Sequence, residues 1–510
     1  MASDAELAAT GTQEGHAKRF ESVQGTTEQP SGRRWWSLAV IAIAQLMVVL
    51  DGTVVTIALP STQRDLHISI ADRQWAITAY SLAFGGLLLL GGRIADYIGR
   101  KRIFLVGLLG FAAASALGGA AQNGATLFGA RALQGVFAAL LAPAALSLIT
   151  VTFTEVKERS RAFAVYGAIS GGGAAIGLIL GGTLTEYASW RWCLLINVPI
   201  AIAAFIAGTI LVTDSKTGGG SSYDIAGAIL GTVGLVALVY GFTEAAKTGV
   251  GWLSAQAISY LLGAVVLLVA FVLVELRSAS PLLPMRVVLD RNRGGSYLAS
   301  LLVFAGLFTM FLFLSYYFQY NLGYSALKSG IAFMPFSLGI ILTSGVVSGL
   351  LPRTGPKPLM LIGLALAAVG LVSFTLISDT SSWGTSVLPG ELLTSIGLAL
   401  VFVPLSSLAL TGVNDDDAGV ASAMLNSTQQ IGGSLGTALL NTFYASAVAS
   451  FVVAHHLSPD AFDPRAAIHG YHVAFWIGAG LIAAAFLAIL ILVTAGKNAI
   501  AGQRAVPAGT

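Results

Sequence analysis

Long apolar runs separated by short polar segments dominate the pattern of hydrophobic and polar positions along the chain. A helix needs about 20 apolar residues to cross the hydrocarbon core of a bilayer. With that length as a ruler, the sequence predicts fourteen transmembrane helices and therefore an all-α polytopic membrane protein. Their approximate limits are 36–60, 74–92, 103–121, 126–150, 162–185, 192–212, 224–243, 255–275, 297–319, 329–351, 358–378, 386–411, 419–451 and 472–495.

Composition supports the same class and excludes several kinds of partner. The 510 residues are 55% hydrophobic and only 10% charged, whereas a soluble domain carries about 25% charged residues. The net charge of +3 is small and its Lys and Arg are scattered, which argues against nucleic acid as a partner. The single cysteine, Cys193, and the absence of a His-Glu-x-x-His pattern lead us to expect neither a metal nor a cofactor.

The distribution of basic residues predicts the orientation in the membrane. If the N-terminus lies inside, twenty of the 27 Lys and Arg residues fall on the inner side and six on the outer side. Cytoplasmic loops carry such an excess of basic residues, so we expect both termini in the cytoplasm and a multi-pass protein of the plasma membrane. The polar segment 1–35 lacks the features of a secretory signal and is predicted to be a disordered cytoplasmic tail.

Two connecting segments divide the predicted spans into groups. A Gly- and Ser-rich linker begins at Asp214, and a basic stretch with two prolines covers 277–293. They bracket the seventh and eighth spans, and removing that pair leaves six spans on either side, as in transporters built from two related halves. The predicted domains are tails at 1–35 and 496–510, six-helix bundles at 36–213 and 297–495, and a linker with two extra helices at 214–296.

Charged residues within the spans are the first candidates for function, because each is costly in the membrane. Asp51 lies roughly 22 Å from the inner end of the first span, and Arg131 lies roughly 8 Å from the outer end of the fourth. Glu391 in the twelfth span is at a similar level, so the three charges can share one layer. We interpret Asp51 as a carboxylate that loads and releases a proton beside Arg131. The alternatives are a static Asp51–Arg131 ion pair and a Glu391 that only reaches the outer headgroups.

Polar and aromatic residues in other spans are candidates for a substrate cavity. The ninth span is rich in aromatic residues, and amide side chains accompany them there and in the thirteenth span. Such surfaces bind amphipathic organic molecules, although aromatic residues also pack against lipid or stand at the membrane interface. The predicted cavity residues are Gln134, Phe308, Tyr316, Gln319, Asn426 and Gln430.

The charged segment Gly92–Arg102, here called the hinge segment, joins the second and third spans. Its glycines permit a tight turn, and its four basic residues hold it on the inner side. Asp96 contributes little to orientation, so it predicts a partner, either a cationic side chain or a helix N-terminus. The segment 351–358 occupies the same position in the second half but carries no acid.

Several motifs, in the right order and on the right spans, resemble those of the major facilitator superfamily, and within it the drug:proton antiporters with fourteen spans. The resemblance covers about residues 36 to 495. It rests on Gly92-x-x-x-Asp96-x-x-Gly99-Arg100-Lys101, Leu50–Pro60 of the first span, Arg131-x-x-Gln134-Gly135, the glycine series ending at Gly181-Gly182, Trp190-Arg191-Trp192, Asn197-Val198-Pro199, and Gly323-Tyr324-Ser325 with Gly330 and Pro335. The chain departs from the family pattern at Leu178, where the exporter motif has proline, and at Tyr97, where a basic residue is common.

This resemblance implies the fold of that superfamily, with two six-helix bundles plus two extra helices. It also implies a proton-driven exporter of hydrophobic, antibiotic-like molecules that works by alternating access and is not an enzyme. Asp51 and Arg131 resemble the coupling pair, with Glu391 as a possible further acid. The gating loop then comprises Gly92, Asp96, Gly99, Arg100 and Lys101.

The partners expected from this reading are a small-molecule substrate, protons and the lipid bilayer, with no obligate protein partner. No Gly-x-x-x-x-Gly-Lys-[Ser/Thr] motif occurs, which argues against ATP as the energy source. Within the same fold, a dedicated exporter of one metabolite or a proton symporter importing a small organic solute are the alternatives. A membrane enzyme or receptor would predict catalytic residues clustered at one membrane face, and the sequence offers none.

Overall fold

The computed structural model describes residues 31–213, 224–247, 250–278, 281–413, 415–458 and 463–497. Over these residues the chain forms helices and no strand. Fourteen helices are long and apolar enough to cross a membrane, which confirms the predicted number. Most of the predicted tails, and the linker at 214–223, lie outside the described residues. The spans are α1 (Gly32–Asp65), α2 (Trp75–Ile98), α3 (Arg100–Gly119), α4 (Gly124–Thr152), α5 (Arg161–Tyr187), α6 (Trp192–Leu211), α7 (Ile225–Ala245), α8 (Ala255–Arg277), α9 (Arg291–Asn321), α10 (Ala326–Thr354), α11 (Pro356–Leu376), α12 (Trp383–Leu410), α13 (Gly419–Ala454) and α14 (Pro464–Leu492).

The start of α14 differs most from its prediction. The helix begins at Pro464, eight residues before the predicted start at 472. Asp463 caps it, since its Oδ1 accepts hydrogen bonds from the backbone N–H groups of Arg465 and Ala466. Proline suits the first helical position because it has no N–H to satisfy there. The prediction counted only apolar residues and therefore missed this polar first part of the helix.

The first six and the last six helices each pack mainly among themselves. In the first half the closest-packed pairs are α2 with α4, α3 with α4, and α1 with α5. In the second half they are α11 with α12, α9 with α13, and α9 with α14. Most connections between these helices are only a few residues long, so neighbouring spans run in opposite directions.

The extra pair, α7 and α8, forms a hairpin on the side of the molecule where α2 meets α13. Helix α7 contacts both of these helices, while α8 packs chiefly on α7. At one end of α7, Gln74 Nε2 donates to Thr243 Oγ1 over 2.8 Å, and Thr442 Oγ1 donates to the carbonyl of Phe242 over 2.8 Å. The outer face of α8 is apolar and exposed, as expected for a surface against lipid.

Two connections occupy the same position in the two halves of the chain, and a single glycine forms each of them. Gly99, with φ of +118°, is the only residue between α2 and α3, and Gly355, with φ of +80°, is the only residue between α10 and α11. Side chains rarely tolerate such φ values. We call the end of the bundle that carries Gly99 and Gly355 the inner end, after the orientation predicted from the sequence, and the opposite end the outer end.

At the outer end the two halves are in direct contact. Helices α5 and α10 approach so closely that a Cβ atom added to Gly182 would lie 2.7 Å from the carbonyl oxygen of Ala326. Helix α9 also reaches α1, because Gln319 Nε2 donates to the carbonyl of Ile57 over 3.0 Å and Tyr316 donates to Gln63 Oε1. The outer end is therefore closed.

Candidate functional site

A cavity of about 740 Å³ lies between the two halves. Helices α1, α2, α4 and α5 line one side of it, and α9 and α13 line the other. It extends from Thr56 and Tyr80 to Arg93, Asp96 and Leu410 at the inner end. Its volume is that of sites that bind drug-sized molecules. The space is therefore accessible from the inner end and blocked by the contacts at the outer end.

The wall of this cavity is mostly apolar, with a small number of hydrogen-bonding groups. Phe304, Phe308 and Phe311 of α9 contribute an aromatic side. Behind them, the Phe304 ring stacks on Phe402, and the Phe311 ring makes tilted and edge-on contacts with Phe333 and Phe336. Amide side chains line both halves, and in the first half Tyr166 Oη donates to Gln45 Oε1 over 2.7 Å. Sites for amphipathic organic molecules have this composition. The amides are Gln45, Asn426, Gln429 and Gln430.

Three of the six residues assigned to the cavity from the sequence line it, namely Phe308, Asn426 and Gln430. Tyr316 and Gln319 instead contribute to the outer closure. For Gln319 the physical reason is a π-helical turn at the end of α9, over Tyr317–Asn321, which changes the direction of the side chains relative to a regular α-helix. Gln134 also lies outside the cavity lining, because its side chain is buried among the helices of the first half.

Behind the wall of the first half, Asp51 of α1 lies at the centre of a buried polar cluster. Its side chain is 0% exposed. Arg131 Nη1 donates to Oδ2 over 2.5 Å, and both Gln134 Nε2 and Asn197 Nδ2 donate to Oδ1 over 2.8 Å. The carboxylate thus receives donors from α4 and α6, as a buried charge requires. The sequence analysis gave no role to Asn197, although an amide within an apolar span was a usable signal.

Arg131 is as completely enclosed as its partner. Its Nε donates to the carbonyl of Ala76 over 2.9 Å, and its Nη1 also donates to Gln134 Oε1 over 2.8 Å. The guanidinium carbon lies 4.4 Å from the centre of the Tyr80 ring, a cation–π contact. Tyr80 itself lines the cavity. The Tyr80 ring therefore connects the buried ion pair with the wall of the space between the halves.

The structure does not bring Glu391 into this cluster. Glu391 lies in α12, is 0% exposed, and its carboxylate oxygens have no hydrogen-bond partner among the described residues. The neighbouring Gly390 and Thr394 pack closely against α11 at Gly370. The alternative in which Glu391 only reaches the outer headgroups is wrong, because the side chain is buried within the second half.

The hinge segment lies at the inner mouth of the cavity. Gly92, Arg93 and Asp96 line the mouth, and Asp96 accepts hydrogen bonds of 3.2 and 3.1 Å from Nε and Nη2 of Arg100, one turn along the chain. Arg100 is the cationic partner that the sequence predicts for this acid. Lys101 Nζ donates to the carbonyl of Thr209 over 2.8 Å and so ties the start of α3 to the end of α6.

Arg73, which sequence reasoning did not single out, connects the two halves at the outer end. It precedes α2 in the chain, and its side chain is buried. Nε donates to Asn441 Oδ1 of α13 over 3.0 Å, and the guanidinium lies 4.0 Å from the ring centre of Tyr316 and 4.8 Å from that of Tyr444. All three of these partners belong to the second half. The contacts therefore stabilise the closed outer end.

We expect Arg73→Gln to loosen the outer closure, because glutamine keeps one hydrogen bond at most and loses both cation–π contacts. The loss corresponds to about a tenfold increase in outer opening. The measurement is labelling of a Thr56→Cys cavity reporter by an impermeant maleimide applied from outside, which the buried native Cys193 does not disturb. Arg191→Gln is the control, because Arg191 pairs with Asp65 within the first half. Equal labelling in both variants would contradict the assignment.

Comparisons with known proteins agree with this architecture. Residues 41–437 match the profile of the family described as Major Facilitator Superfamily. The puromycin resistance protein of Streptomyces alboniger is 52% identical over 91% of this chain and 92% of its own length. The cephamycin export protein of Amycolatopsis lactamdurans is 40% identical over 80% of this chain and 85% of its own. A bacterial homologue of the lysosomal transporter Spinster, in an inward-facing and unoccupied conformation, is 14% identical, covers 94% of this chain and 100% of its own, and has a TM-score of 0.64.

The matched profile covers well over half of the chain, and the relatives align along most of its length. The two helix bundles, the cavity between them and the outer closure are consistent with that similarity. The chain is a membrane transporter, not an enzyme, and it belongs to the Major Facilitator Superfamily.

Proposed function

We propose that this protein exports hydrophobic, antibiotic-like small molecules across the plasma membrane, in exchange for protons and by alternating access, with both termini in the cytoplasm. The observation that carries the proposal is the cavity itself. It reaches the inner end, is blocked at the outer end, and is lined by Tyr80, whose ring contacts Arg131 of the buried Asp51–Arg131 pair. A substrate from the cytoplasm can enter this conformation and can leave only after the two halves change their contacts.

The relatives support export rather than import. The puromycin relative is named for resistance and the cephamycin relative for export, and both align over at least four fifths of this chain. The apolar and aromatic wall supports a hydrophobic cargo. No more specific compound follows from the shape of the cavity.

In the proposed cycle Asp51 carries the proton. A protonated Asp51 leaves the Arg131 guanidinium without its counter-charge, and an ionised Asp51 restores the pair. The change of charge alters the contacts of Arg131 with Tyr80, which lines the cavity. Proton binding and substrate binding are thereby coupled through one ring. The hinge segment, with its Asp96–Arg100 pair, is the proposed gate at the inner mouth.

The proton gradient supplies enough free energy for this exchange. Each proton that moves inward yields about 2.3 kcal/mol per 100 mV of membrane potential. A pH difference of one unit adds about 1.4 kcal/mol. The sum exceeds the cost of a tenfold substrate gradient, which is about 1.4 kcal/mol.

Everted membrane vesicles from cells that express the protein provide the test, with radiolabelled puromycin as the probe. We expect respiration to drive puromycin into these vesicles well above the level in vesicles without the protein. The uptake should fall to that control level when a protonophore collapses the gradient. Uptake that persists without the gradient would contradict proton coupling, and uptake equal to the control would contradict export of puromycin.

Export of a single metabolite is the second candidate, because the names of both relatives refer to one antibiotic each. Competition separates the two candidates. A multidrug exporter should show inhibition of puromycin uptake by several unrelated hydrophobic compounds, whereas a dedicated exporter should show inhibition only by close analogues of its substrate.

A further inference from the structure

The charges around the cavity restrict what it can carry. Among the described lining residues only Arg93 and Asp96 are charged, and both lie at the inner mouth. Farther in, the lining consists of apolar, aromatic, hydroxyl and amide side chains. A fixed charge on a bound molecule would therefore lose water without gaining an ionic partner.

The nearest buried charges give no such partner either. Arg131 Nε donates to the carbonyl of Ala76, and its Nη1 donates to Asp51 and Gln134. Its positive charge lies directly behind the Tyr80 ring and occupies one face of it. When Asp51 is protonated, this positive charge is uncompensated and disfavours a cation in the cavity.

Two amides are available to recognise a substrate. Gln429 and Gln430 of α13 line the cavity, and within the described chain neither side chain makes a hydrogen bond. The aliphatic part of Gln430 is held by a close contact with α2, since a Cβ atom on Gly85 would lie 2.8 Å from its Cβ. The start of this side chain is therefore constrained, while its amide has no hydrogen-bond partner in the described chain and can donate and accept hydrogen bonds.

We propose that the cavity binds molecules with no net charge and that Gln429 and Gln430 are specificity-determining residues that hold them through hydrogen bonds. This inference rests on the proposed function for its transport consequence. Exchange of a neutral molecule for one proton moves one positive charge inward. The membrane potential alone should then sustain an outward substrate gradient of about 50-fold per 100 mV.

Binding to the purified full chain tests the charge rule without requiring transport. The probes are neutral N-phenyl-1-naphthylamine, its sulfonated analogue 1-anilinonaphthalene-8-sulfonate, and the permanent cation ethidium, all followed by fluorescence. We expect the neutral probe to bind at least about tenfold more tightly than either ion. Ethidium or the sulfonate binding as tightly as the neutral probe would overturn the proposal, and so would a cavity that binds none of the three.

Gln430→Glu and Gln429→Glu test the two amides, because each adds a carboxylate of nearly the same shape. We expect ethidium to bind about tenfold more tightly and the neutral probe to bind more weakly in these variants. Gln122→Glu is the control, because Gln122 lies in an exposed connection between α3 and α4. Folding is checked by size-exclusion chromatography. If both cavity variants fold and ethidium binding does not change, the assigned amides are wrong.

Proteoliposomes separate this inference from the proposed function. A potassium diffusion potential without a pH difference should drive the neutral probe. Transport that does not depend on a proton gradient, together with an unchanged preference for neutral probes, would refute the proposed function but not the charge rule. Proton-driven transport of ethidium, which exchanges one cation for one proton and therefore responds only to the pH difference, would refute the charge rule.

Discussion

Asp51→Asn is expected to abolish uphill transport while leaving substrate exchange between two equal pools. Asparagine keeps the shape of the side chain but cannot take up and release a proton. The substrate gradient that the membrane potential sustains should fall from about 50-fold per 100 mV to none. The Asp51 carboxylate accepts hydrogen bonds from the side chains of Arg131, Gln134 and Asn197. A change in its charge therefore affects all three contacts.

The measurement compares gradient-driven uptake with counterflow in the same proteoliposomes. Ser115→Ala is the matched control, because Ser115 accepts a hydrogen bond from Gln134 and does not touch the carboxylate. Removing the charge of Asp51 leaves Arg131 unpaired in the membrane, a cost of about 3–5 kcal/mol in buried pairs. Asp51→Glu, which keeps a carboxylate beside Arg131, is therefore measured as a second variant. Normal uphill transport in a folded Asp51→Asn protein would refute the coupling role.

Gly182→Leu is expected to prevent the outer end from closing. A Cβ atom at this position would lie 2.7 Å from both the Ala326 carbonyl oxygen and the Leu327 Cα, and both are backbone atoms that cannot move aside. Such crowding costs about 1–3 kcal/mol or more. The conformation seen here should lose between about fivefold and about 160-fold in population, and transport should fall accordingly.

The readout is labelling of the Thr56→Cys reporter from outside, which should rise as the outer end stays open. Gly172→Leu is the matched control on the same helix, because a Cβ atom there meets nothing within 4 Å. Unchanged labelling and transport in Gly182→Leu would mean that α5 and α10 need not approach during the cycle.

The number of spans followed directly from the sequence because apolar length is the main requirement for crossing a bilayer. The beginning of α14 did not, since a capped, polar first part of a helix leaves no trace in apolar length. The sequence showed that the segments containing Gly99 and Gly355 occupy the same position in the two halves. The positive φ values explain why glycine occupies both connections. The positions of these turns could thus be predicted from local sequence, whereas the packing of one helix against another could be seen only in the structure.

For the site, isolated charges in apolar spans identified Asp51 and Arg131 as candidates, and the structure places them in contact. The sequence showed the depth of Glu391 in the membrane, which is similar to that of Asp51 and Arg131. It did not show that Glu391 lies in a different part of the helix bundle. Arg73 was counted only as a loop residue, since its two tyrosine partners come from helices far away in the sequence. The π-helical turn of α9 likewise cannot be read from a regular helical period.

The two halves of the chain contribute different chemistry to the cavity. Both halves contribute amide and aromatic side chains to the wall, but the first half alone contains the buried cluster of Asp51, Arg131, Gln134 and Asn197, and the second half contributes Gln429 and Gln430. Under the proposed cycle, mutations in α9 and α13 should therefore change the cargo without touching the proton chemistry. Such a division would let one half that binds the proton serve many cargoes during evolution. It also suggests chimaeras, in which a second half taken from a relative would bring that relative's selectivity with it.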